Sequence, residues 1–335
     1  MQRCIAGAIY ALLIALSATA AHGAPTGVNI PGTPFSEYKT TDSLGRKIKV
    51  YVSKPKTPSP ILLWIQGSGC TNIFLERNGR YGSTMPGLLP FAAEGRFTIV
   101  TVEKPFAGEL PGAERGTATA CSRRFNEEFT AERWLAALQA GLKAARALPW
   151  VDRSRTLVLG HSEGASMAAM VAGHDPTVTD VIFFAGPGVT PYYAGIASDY
   201  QTYSTPAERA ARLEEREAQV RAIFQKPDSV DDFAWGHPYR RWASFYRLSS
   251  VDELTKSRAR VYIGIAMSDQ NVSPLATEAL AAELLVRGKD VTVRRILDAD
   301  HGFNLVGDTK GSVLHDEYSR AFTWFWDGPQ ASLRR

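Results

Sequence analysis

The chain contains a pentapeptide whose residue types and spacing suit a serine nucleophile, Gly160-His161-Ser162-Glu163-Gly164. An apolar run that is typical of a strand precedes it, and an alanine-rich run that favours a helix follows it. A sharp strand-to-helix turn of this kind lifts the serine hydroxyl out of the backbone, and its two glycines let strand and helix approach closely. An ordinary glycine-rich turn is the alternative. The pattern favours nucleophilic catalysis by Ser162.

A nucleophilic serine needs a general base, and the six histidines allow one to be chosen by elimination. The other five lie in the predicted leader, in the pentapeptide itself, at a helix end, in an insertion and near the terminal helix: His22, His161, His174, His237 and His315. His301 follows the last predicted strand, in a loop that Gly302 keeps pliable. A histidine there can reach over the serine, so His301 is the predicted base.

The base in turn needs a carboxylate that orients its ring. Asp269 follows a late predicted strand, at the sheet edge where the serine is expected. Asp298 and Asp300 are the rival acids, but both are too close in sequence to His301 to reach its ring comfortably. Asp300 is better suited to brace its own loop. The predicted triad is therefore Ser162, Asp269 and His301, in that chain order.

Strands and helices that alternate along the chain must position these side chains. The predicted strands are Arg46–Lys54, Ile61–Ile65, Phe97–Val102, Thr156–Gly160, Val178–Ala185, Val261–Ile265 and Val291–Ile296. The predicted core helices are Phe129–Leu148, Gly164–Ala172, Pro274–Arg287 and one near Val313–Trp326. The first strand alternates basic and apolar residues, which is typical of an exposed sheet edge. The alternation predicts an α/β fold with a mostly parallel, doubly wound sheet.

These motifs together resemble the α/β-hydrolase superfamily, and most of all its dienelactone-hydrolase and prolyl-oligopeptidase-type esterases. They are the serine turn, the acid after a late strand, the Asp-His-Gly-Phe loop at His301 and a glycine-rich loop after an early strand. The resemblance covers roughly Ile61–Trp326, apart from an insertion. It implies the α/β-hydrolase fold, with helices flanking the sheet.

The resemblance also implies where the oxyanion hole lies. One donor is the backbone N–H of Glu163, directly after the nucleophile. The other comes from the loop Gln66–Cys70, with the N–H of Ser68 as first choice and that of Gly69 as second. Many relatives have a histidine where this chain has Gln66.

An insertion of about 70 residues separates the predicted strands on either side of it, far more than a simple connection needs. It opens with a charged helix over Ala207–Phe224 and continues with an aromatic cluster. The candidate substrate-binding residues of that cluster are Trp235, His237, Tyr239 and Trp242. The cluster either packs the insertion against the sheet or lines a substrate pocket beneath a lid, and the sequence leaves both interpretations open.

The first residues have the layout of a secretory signal peptide. Arg3 precedes the apolar run Cys4–Leu16, and the small residues Ala21-His22-Gly23 follow. Cleavage is predicted after Gly23, or else after Ala20. An uncleaved membrane anchor is the alternative, although the apolar run is short for a span. We therefore predict a protein that is secreted or periplasmic, without a membrane span after cleavage.

Cysteine use is consistent with export. Cys4 lies in the predicted leader, which leaves Cys70 and Cys121 in the mature chain. Two cysteines in an oxidising compartment commonly form a disulfide, and these two follow strands that should be near neighbours. A catalytic cysteine is the rival interpretation, but neither residue lies on a turn that would present a nucleophile.

The composition excludes several other function classes. The 335 residues are 44% hydrophobic and 21% charged, and the net charge is only +4. The paired arginines are dispersed and are interpreted as solvated surface, not as a nucleic-acid site or a basic patch for an acidic substrate: Arg123-Arg124, Arg240-Arg241, Arg294-Arg295 and Arg334-Arg335. Neither a nicotinamide-binding glycine motif nor a zinc-binding His-Glu-x-x-His motif occurs, so no cofactor and no metal are predicted.

The predicted organisation is a leader (1–23), a core in two parts (24–187 and 259–335) and a helical lid insertion (188–258). The predicted function is hydrolysis of small carboxylic esters, of short-chain or aryl type, through an acyl-enzyme intermediate on Ser162. A serine peptidase or a thioesterase of the same fold is the alternative. A protein of this fold that binds without catalysis is a further one, although all three triad members are present.

Overall fold

The computed structural model describes residues 26–85, 87–110, 120–307 and 311–328. The predicted signal peptide lies outside the described residues. The strands of the described part are β1 (Val28–Asn29), β2 (Phe35–Thr41), β3 (Lys47–Ser53), β4 (Ser59–Ile65), β5 (Phe74–Arg77), β6 (Arg80–Ser83), β7 (Thr98–Val102), β8 (Val151–His161), β9 (Asp180–Phe184), β10 (Phe233–Ala234), β11 (His237–Pro238), β12 (Arg260–Ala266) and β13 (Val291–Ile296).

The helices of the described part are α1 (Leu88–Glu94), α2 (Arg123–Glu128), α3 (Ala131–Arg146), α4 (Glu163–His174), α5 (Pro191–Thr202), α6 (Pro206–Gln225), α7 (Tyr239–Phe245), α8 (Ser250–Lys256), α9 (Pro274–Val286) and α10 (Leu314–Asp327). We call the segment from α5 to α8 the cap. It lies between β9 and β12 in the chain, within the predicted insertion, and it carries the predicted charged helix as α6. No helix of the described ranges has both the length and the apolar character that a bilayer span requires.

A single large sheet organises the described residues, in the order β1-β2-β3-β7-β4-β8-β9-β12-β13. The strands from β7 to β13 in that order run parallel, while β1, β2 and β3 add antiparallel pairs at one side. Parallel strands are joined by helices that cover both faces, so their residues are apolar without interruption. The predicted doubly wound α/β fold is thereby confirmed.

The strand β4 shows how the two faces are used. Ile61, Leu63 and Ile65 point into a core shared with α3, α4, α8 and α9, whereas Leu62 and Trp64 point into a core shared with α1 and α10. This alternation follows from the period of two in a strand. Because every residue of β4 is buried, it is a rigid base for the loop that follows it.

The interpretation of 46–54 as an edge strand is wrong. This segment forms β3, which pairs with β2 on one side and with β7 on the other. Ile48, Val50 and Val52 pack on one face of the sheet, and the other face carries the exposed Lys47 and Lys49 and the buried Tyr51. The basic-apolar alternation therefore marks a half-exposed face, not an edge. Strand β2 was not predicted because its sequence, Phe-Ser-Glu-Tyr-Lys-Thr-Thr, is largely polar.

Candidate active site

Ser162 lies on a strained turn between β8 and α4. Its backbone has φ 58° and ψ −129°, which is an uncommon conformation for a residue with a side chain. A conformation of this kind costs on the order of 1–3 kcal/mol and is found mainly at functional sites. Its neighbours must be small: a Cβ on Gly160 would overlap the backbone of Gly164, and a Cβ on Gly164 would overlap the carbonyl of Ile65. The pentapeptide is therefore a nucleophile-presenting turn in conformation as well as in sequence.

His301 and Asp269 meet beside this turn. The distance between His301 Nδ1 and Asp269 Oδ2 is 2.7 Å. The Asp269 side chain is buried, and its other oxygen accepts the backbone N–H groups of Asn271 at 2.8 Å and Val272 at 2.9 Å. With Nδ1 used in this way, Nε2 is the ring nitrogen left for another partner. His301 and Ser162 line the same cavity.

The rival acids lie elsewhere. Asp300 Oδ1 accepts the N–H groups of Gly302 and Asn304, each at 2.8 Å, so it braces the loop that carries His301. The side chain of Asp298 is exposed, and its carbonyl accepts the N–H of Val306 at 2.8 Å. Asp269 is the carboxylate that contacts the His301 ring.

His161, the variable residue of the pentapeptide, supports His301 from behind. The distance between His161 Nε2 and the His301 carbonyl oxygen is 2.7 Å, and the two ring centroids are 4.9 Å apart. Burial, together with the nearby His301, lowers the pKa of His161 to about 4. His161 is therefore neutral near pH 7, and its ring N–H holds the backbone of the histidine loop.

The Gln66–Cys70 loop lies against Ser162. A Cβ on Gly67 would be only 3.3 Å from the Cβ of Ser162. Gln66 Nε2 donates to the Thr71 carbonyl at 3.0 Å, which closes the loop across its ends. Ser68 lines the cavity together with Ser162, whereas Gly69 borders a smaller cavity behind it. Of the two predicted donors in this loop, Ser68 is the one that faces the nucleophile's cavity.

A disulfide ties the far end of this loop. Cys70 and Cys121 are bonded, as the cysteine pattern predicts. Both residues are buried, and the carbonyl of Cys70 also accepts the N–H of Gly108 at 2.8 Å. The loop is thus held by Gln66 at one end and by the disulfide at the other.

A cavity of about 680 Å³ opens above Ser162 and is bounded by the cap. Three of the four predicted aromatic-cluster residues line it: Trp235, His237 and Trp242. Tyr239 does not. Its hydroxyl accepts a hydrogen bond from Gln219 of α6 at 2.7 Å, and its ring packs within the cap. The cluster therefore contains three residues that line the cavity and one that only packs within the cap.

The hairpin that carries Trp235 is itself strained. Trp235 and Gly236 form the two-residue turn between β10 and β11, with φ 44° and 76°. A positive φ is rare for a bulky side chain, and here it leaves the Trp235 ring 43% exposed at the wall of the cavity. The guanidinium of Arg216 lies 5.1 Å from the centroid of this ring. The turn therefore presents a large apolar surface close to the nucleophile.

Two arginines of the cap that were not predicted from the sequence as site residues also line the cavity. Arg216 binds both oxygens of Asp199, at 2.6 and 2.9 Å. Arg241 is buried and bonds the carboxylate of Glu163, directly after the nucleophile. The interpretation of Arg240-Arg241 as solvated surface is thus wrong for Arg241. The two residues are neighbours on α7, and a helix turns them toward different sides.

Lys104, which follows β7 and is completely buried, was likewise not predicted from the sequence. Its ammonium donates to the carbonyl oxygens of Gly67 and Gly69. The available signal was its position: a charged residue two positions after a buried parallel strand lies at the sheet edge where sites form. Burial, followed by the positive charges of Arg241 and Lys104, lowers the pKa of His237 to about 3. His237 is therefore neutral near pH 7.

Comparison with known proteins identifies a family and several similar folds. The sequence matches the alpha/beta hydrolase family over residues 73–309. The fold is similar to acylaminoacyl peptidase from Pyrococcus horikoshii, with a TM-score of 0.58 and 14% identity over 89% of this chain and 42% of that one. It is also similar to acetyl xylan esterase from Paenibacillus sp. R4, with a TM-score of 0.55 and 17% identity over 89% and 86% of the two chains.

A protein from Klebsiella pneumoniae described as a dienelactone hydrolase is similar as well, with a TM-score of 0.53 and 16% identity over 88% of this chain and 99% of that one. At these identities the likeness concerns the fold alone. The chain spans less than half the length of the peptidase. No curated protein matches the sequence significantly.

Proposed function

Because this chain belongs to the alpha/beta hydrolase family, we propose that it is a serine hydrolase that cleaves small carboxylic esters. One observation supports the chemistry above all. Ser162, on its strained turn, shares a cavity with His301, and Asp269 holds the His301 ring at 2.7 Å. In this proposal Ser162 is the nucleophile, His301 the general base and Asp269 the carboxylate that orients and stabilises the imidazolium.

The reaction begins with acylation. Ser162 Oγ forms a bond to the ester carbonyl carbon, its proton passes to His301 Nε2, and the carbonyl electron pair moves onto the oxygen. The N–H groups of Ser68 and Glu163 stabilise that oxyanion. When the tetrahedral intermediate collapses, the C–O bond to the alcohol breaks and the alcohol oxygen takes the proton from Nε2. The acyl group remains on Ser162.

Deacylation repeats these steps with water. His301 Nε2 takes a proton from the water as its oxygen attacks the acyl carbon, and the same N–H groups stabilise the second oxyanion. The bond to Ser162 Oγ then breaks, Oγ recovers the proton, and the carboxylic acid leaves. The single base nitrogen serves both half-reactions because it alternates between accepting and donating one proton.

The walls of the cavity support a small aryl or short-chain ester as the substrate. Trp235, Trp242 and Tyr246 supply stiff, mostly apolar surface, and the cavity volume of about 680 Å³ lies in the range of small-molecule sites. A panel of nitrophenyl esters, peptides and thioesters tests this proposal. We expect an aryl or short-chain ester to be cleaved fastest. A peptide or thioester that outpaces every ester would instead favour the peptidase or thioesterase alternative.

Trp235 should set the ranking among esters. We expect Trp235→Ala to lower kcat/KM for an aryl ester about tenfold relative to a small acetate ester, because a substrate ring loses its aromatic wall. The matched control is Phe233→Ala. Phe233 lies on the same hairpin and is 42% exposed, but it does not line the cavity. An unchanged ranking in Trp235→Ala would remove this residue from the substrate site.

Export is proposed on two observations, the predicted leader and the bonded pair Cys70 and Cys121. We expect the mature protein to begin after Gly23 or Ala20 and non-reducing peptide mapping to recover the linked cysteine peptides. Two free thiols in exported protein would contradict the proposal.

Cys121→Ser should lower the free energy of unfolding by about 2–4 kcal/mol, since the disulfide closes a long loop.

A further inference from the structure

The contacts of Lys104 concern the loop beside Ser162 and not the substrate. Its side chain has no exposed surface, so no ligand in the cavity can reach it. Its ammonium lies 4.6 Å from the ring centroid of Trp134 and 4.9 Å from that of Phe129, which form an aromatic enclosure. The ammonium donates to the Gly69 carbonyl at 2.8 Å and to the Gly67 carbonyl at still closer range. A buried charge is tolerated only where it is bonded in this way.

The bond to Gly67 determines the direction of the next N–H. The carbonyl of Gly67 and the N–H of Ser68 belong to one peptide unit, and in a trans peptide these two groups point in opposite directions. Since Lys104 holds the Gly67 carbonyl, the Ser68 N–H points away from the lysine, and Ser68 itself lines the cavity together with Ser162. No acceptor in the described ranges takes this N–H.

The second oxyanion donor is tied to the same charges. Glu163 is the first residue of α4, so its backbone N–H has no partner within the helix. Its carboxylate bonds Arg241, and both side chains are more than nine-tenths buried. Lys104 interacts electrostatically with Glu163 and Arg241. These three residues form one buried charge cluster, which lies behind both predicted donors.

The charge of Lys104 also acts on the donor it orients. A cation bonded to a carbonyl oxygen polarises the peptide unit, and this makes the N–H at its other end a stronger donor. Burial is the main reason that the pKa of Lys104 is lowered to about 8. Arg241 lowers it further, while Glu163 and Glu103 raise it. The ammonium is therefore charged near neutral pH and loses its charge as the pH rises through about 8.

We propose that Lys104 is the positioning residue of the oxyanion hole. It orients the Ser68 N–H, and its charge makes that N–H a stronger hydrogen-bond donor. This inference rests on the proposed function, since it concerns the hole in which that reaction forms its oxyanion. A residue just after β7 thereby affects the catalytic step without contacting the substrate.

The test compares Lys104→Met with Lys289→Met. Methionine keeps the packing against Trp134 but loses both hydrogen bonds and the charge. We expect kcat to fall about 10²-fold, which is close to the fall in kcat when one oxyanion-hole donor is removed, and KM to stay almost unchanged. A trifluoromethyl ketone, whose adduct places an oxyanion in the hole, should bind more weakly by the same factor. Lys289 likewise donates to a backbone carbonyl, that of Ser257, but it precedes β13, whereas His301 follows that strand, and it does not line the cavity. Its variant should keep wild-type kcat.

The pH profile is a second readout that a merely structural role would not move. The wild-type kcat should fall as the pH rises through about 8, because Lys104 deprotonates among Glu163, Arg241, Glu103 and His237. Lys104→Gln, which keeps a donor without charge, should be intermediate in kcat and lack this alkaline limb. A folded Lys104→Met with wild-type kcat overturns the proposal. If that variant does not fold, a wild-type kcat that stays flat between roughly pH 7 and 9.5 overturns it instead.

These outcomes are separable from failure of the proposed function. If the protein is not a serine hydrolase, a fluorophosphonate probe leaves wild-type protein unlabelled and no variant of Lys104 can be assessed by turnover. If the wild type is labelled and cleaves esters while Lys104→Met matches it in kcat and in ketone affinity, only the positioning role is lost.

Discussion

Ser162→Ala is expected to lower kcat for ester hydrolysis by about 10⁵- to 10⁶-fold, with the fold intact. The hydroxyl oxygen is the atom that becomes covalently bonded, so no neighbouring group can replace it. The backbone strain is the same for alanine as for serine, since both carry a Cβ at φ 58°. The Tm should therefore stay close to that of the wild type. Labelling by a fluorophosphonate probe should be lost together with turnover.

The matched control for labelling is Ser166→Ala. Ser166 lies one helical turn after the nucleophile, lines the same cavity and is completely buried, but it is not on the strained turn. We expect the probe to label this variant as it labels wild type. Equal labelling of wild type and Ser162→Ala, with loss in Ser166→Ala, would move the nucleophile to Ser166.

The turn at Ser162 could be predicted because its requirements are local. Two glycines and a serine within five residues, between an apolar run and a helix former, contain all the steric information that the turn needs. The pairing of Asp269 with His301 was also within reach, although the residues are 32 positions apart. Parallel strands bring their C-terminal ends to one edge of the sheet, so the residues just after such strands are expected to meet.

The charge cluster behind the oxyanion hole could not be predicted in the same way. Arg241 and Glu163 are 78 positions apart, and the contact depends on how the cap folds back over β8 and α4. The spacing of apolar residues along the cap does not indicate that contact. Its neighbour Arg240 donates to the Glu127 carbonyl and to Asp228 at the surface, so the arginine pair has two different environments that composition alone cannot distinguish.

Polar strands were the other feature that could not be predicted from the sequence. Strand β2 carries Ser, Glu, Lys and Thr on five of its seven positions, and only Phe35 and Tyr38 are buried. Such a strand is specified by its pairing with β3, over the whole length from Phe35 to Thr41, and not by its own hydrophobicity. The same missing partner led 46–54 to be interpreted as an edge. Sheet order is a property of pairs of segments, and the apolar pattern of one segment does not contain it.

Removing the other two members of the triad should have unequal effects. We expect His301→Ala to lower kcat about as much as Ser162→Ala does, and Asp269→Ala to lower it by about 10⁴-fold. His301 carries the proton in each step, whereas Asp269 only holds the ring and stabilises its charge. The control is Asp298→Ala, because Asp298 is exposed on the loop that carries His301. Wild-type activity in Asp269→Ala would transfer the acid's role to Asp298, Asp300 or another carboxylate.

The acid side of the pH profile should report on the general base. A base that has already taken a proton cannot accept one from Ser162, so kcat/KM falls as the pH drops and Nε2 becomes protonated. Two other histidines lie against the cavity or the base, but the pKa of His161 is lowered to about 4 and that of His237 to about 3. Both stay neutral above roughly pH 5, because burial and neighbouring positive charge oppose their protonation. Burial raises the pKa of Glu103, which interacts with Lys104, to about 7, so the pH profile of Glu103→Gln is the control. An acid limb that persists in that variant belongs neither to this carboxyl nor to the other two histidines, and its absence would remove His301 as the base.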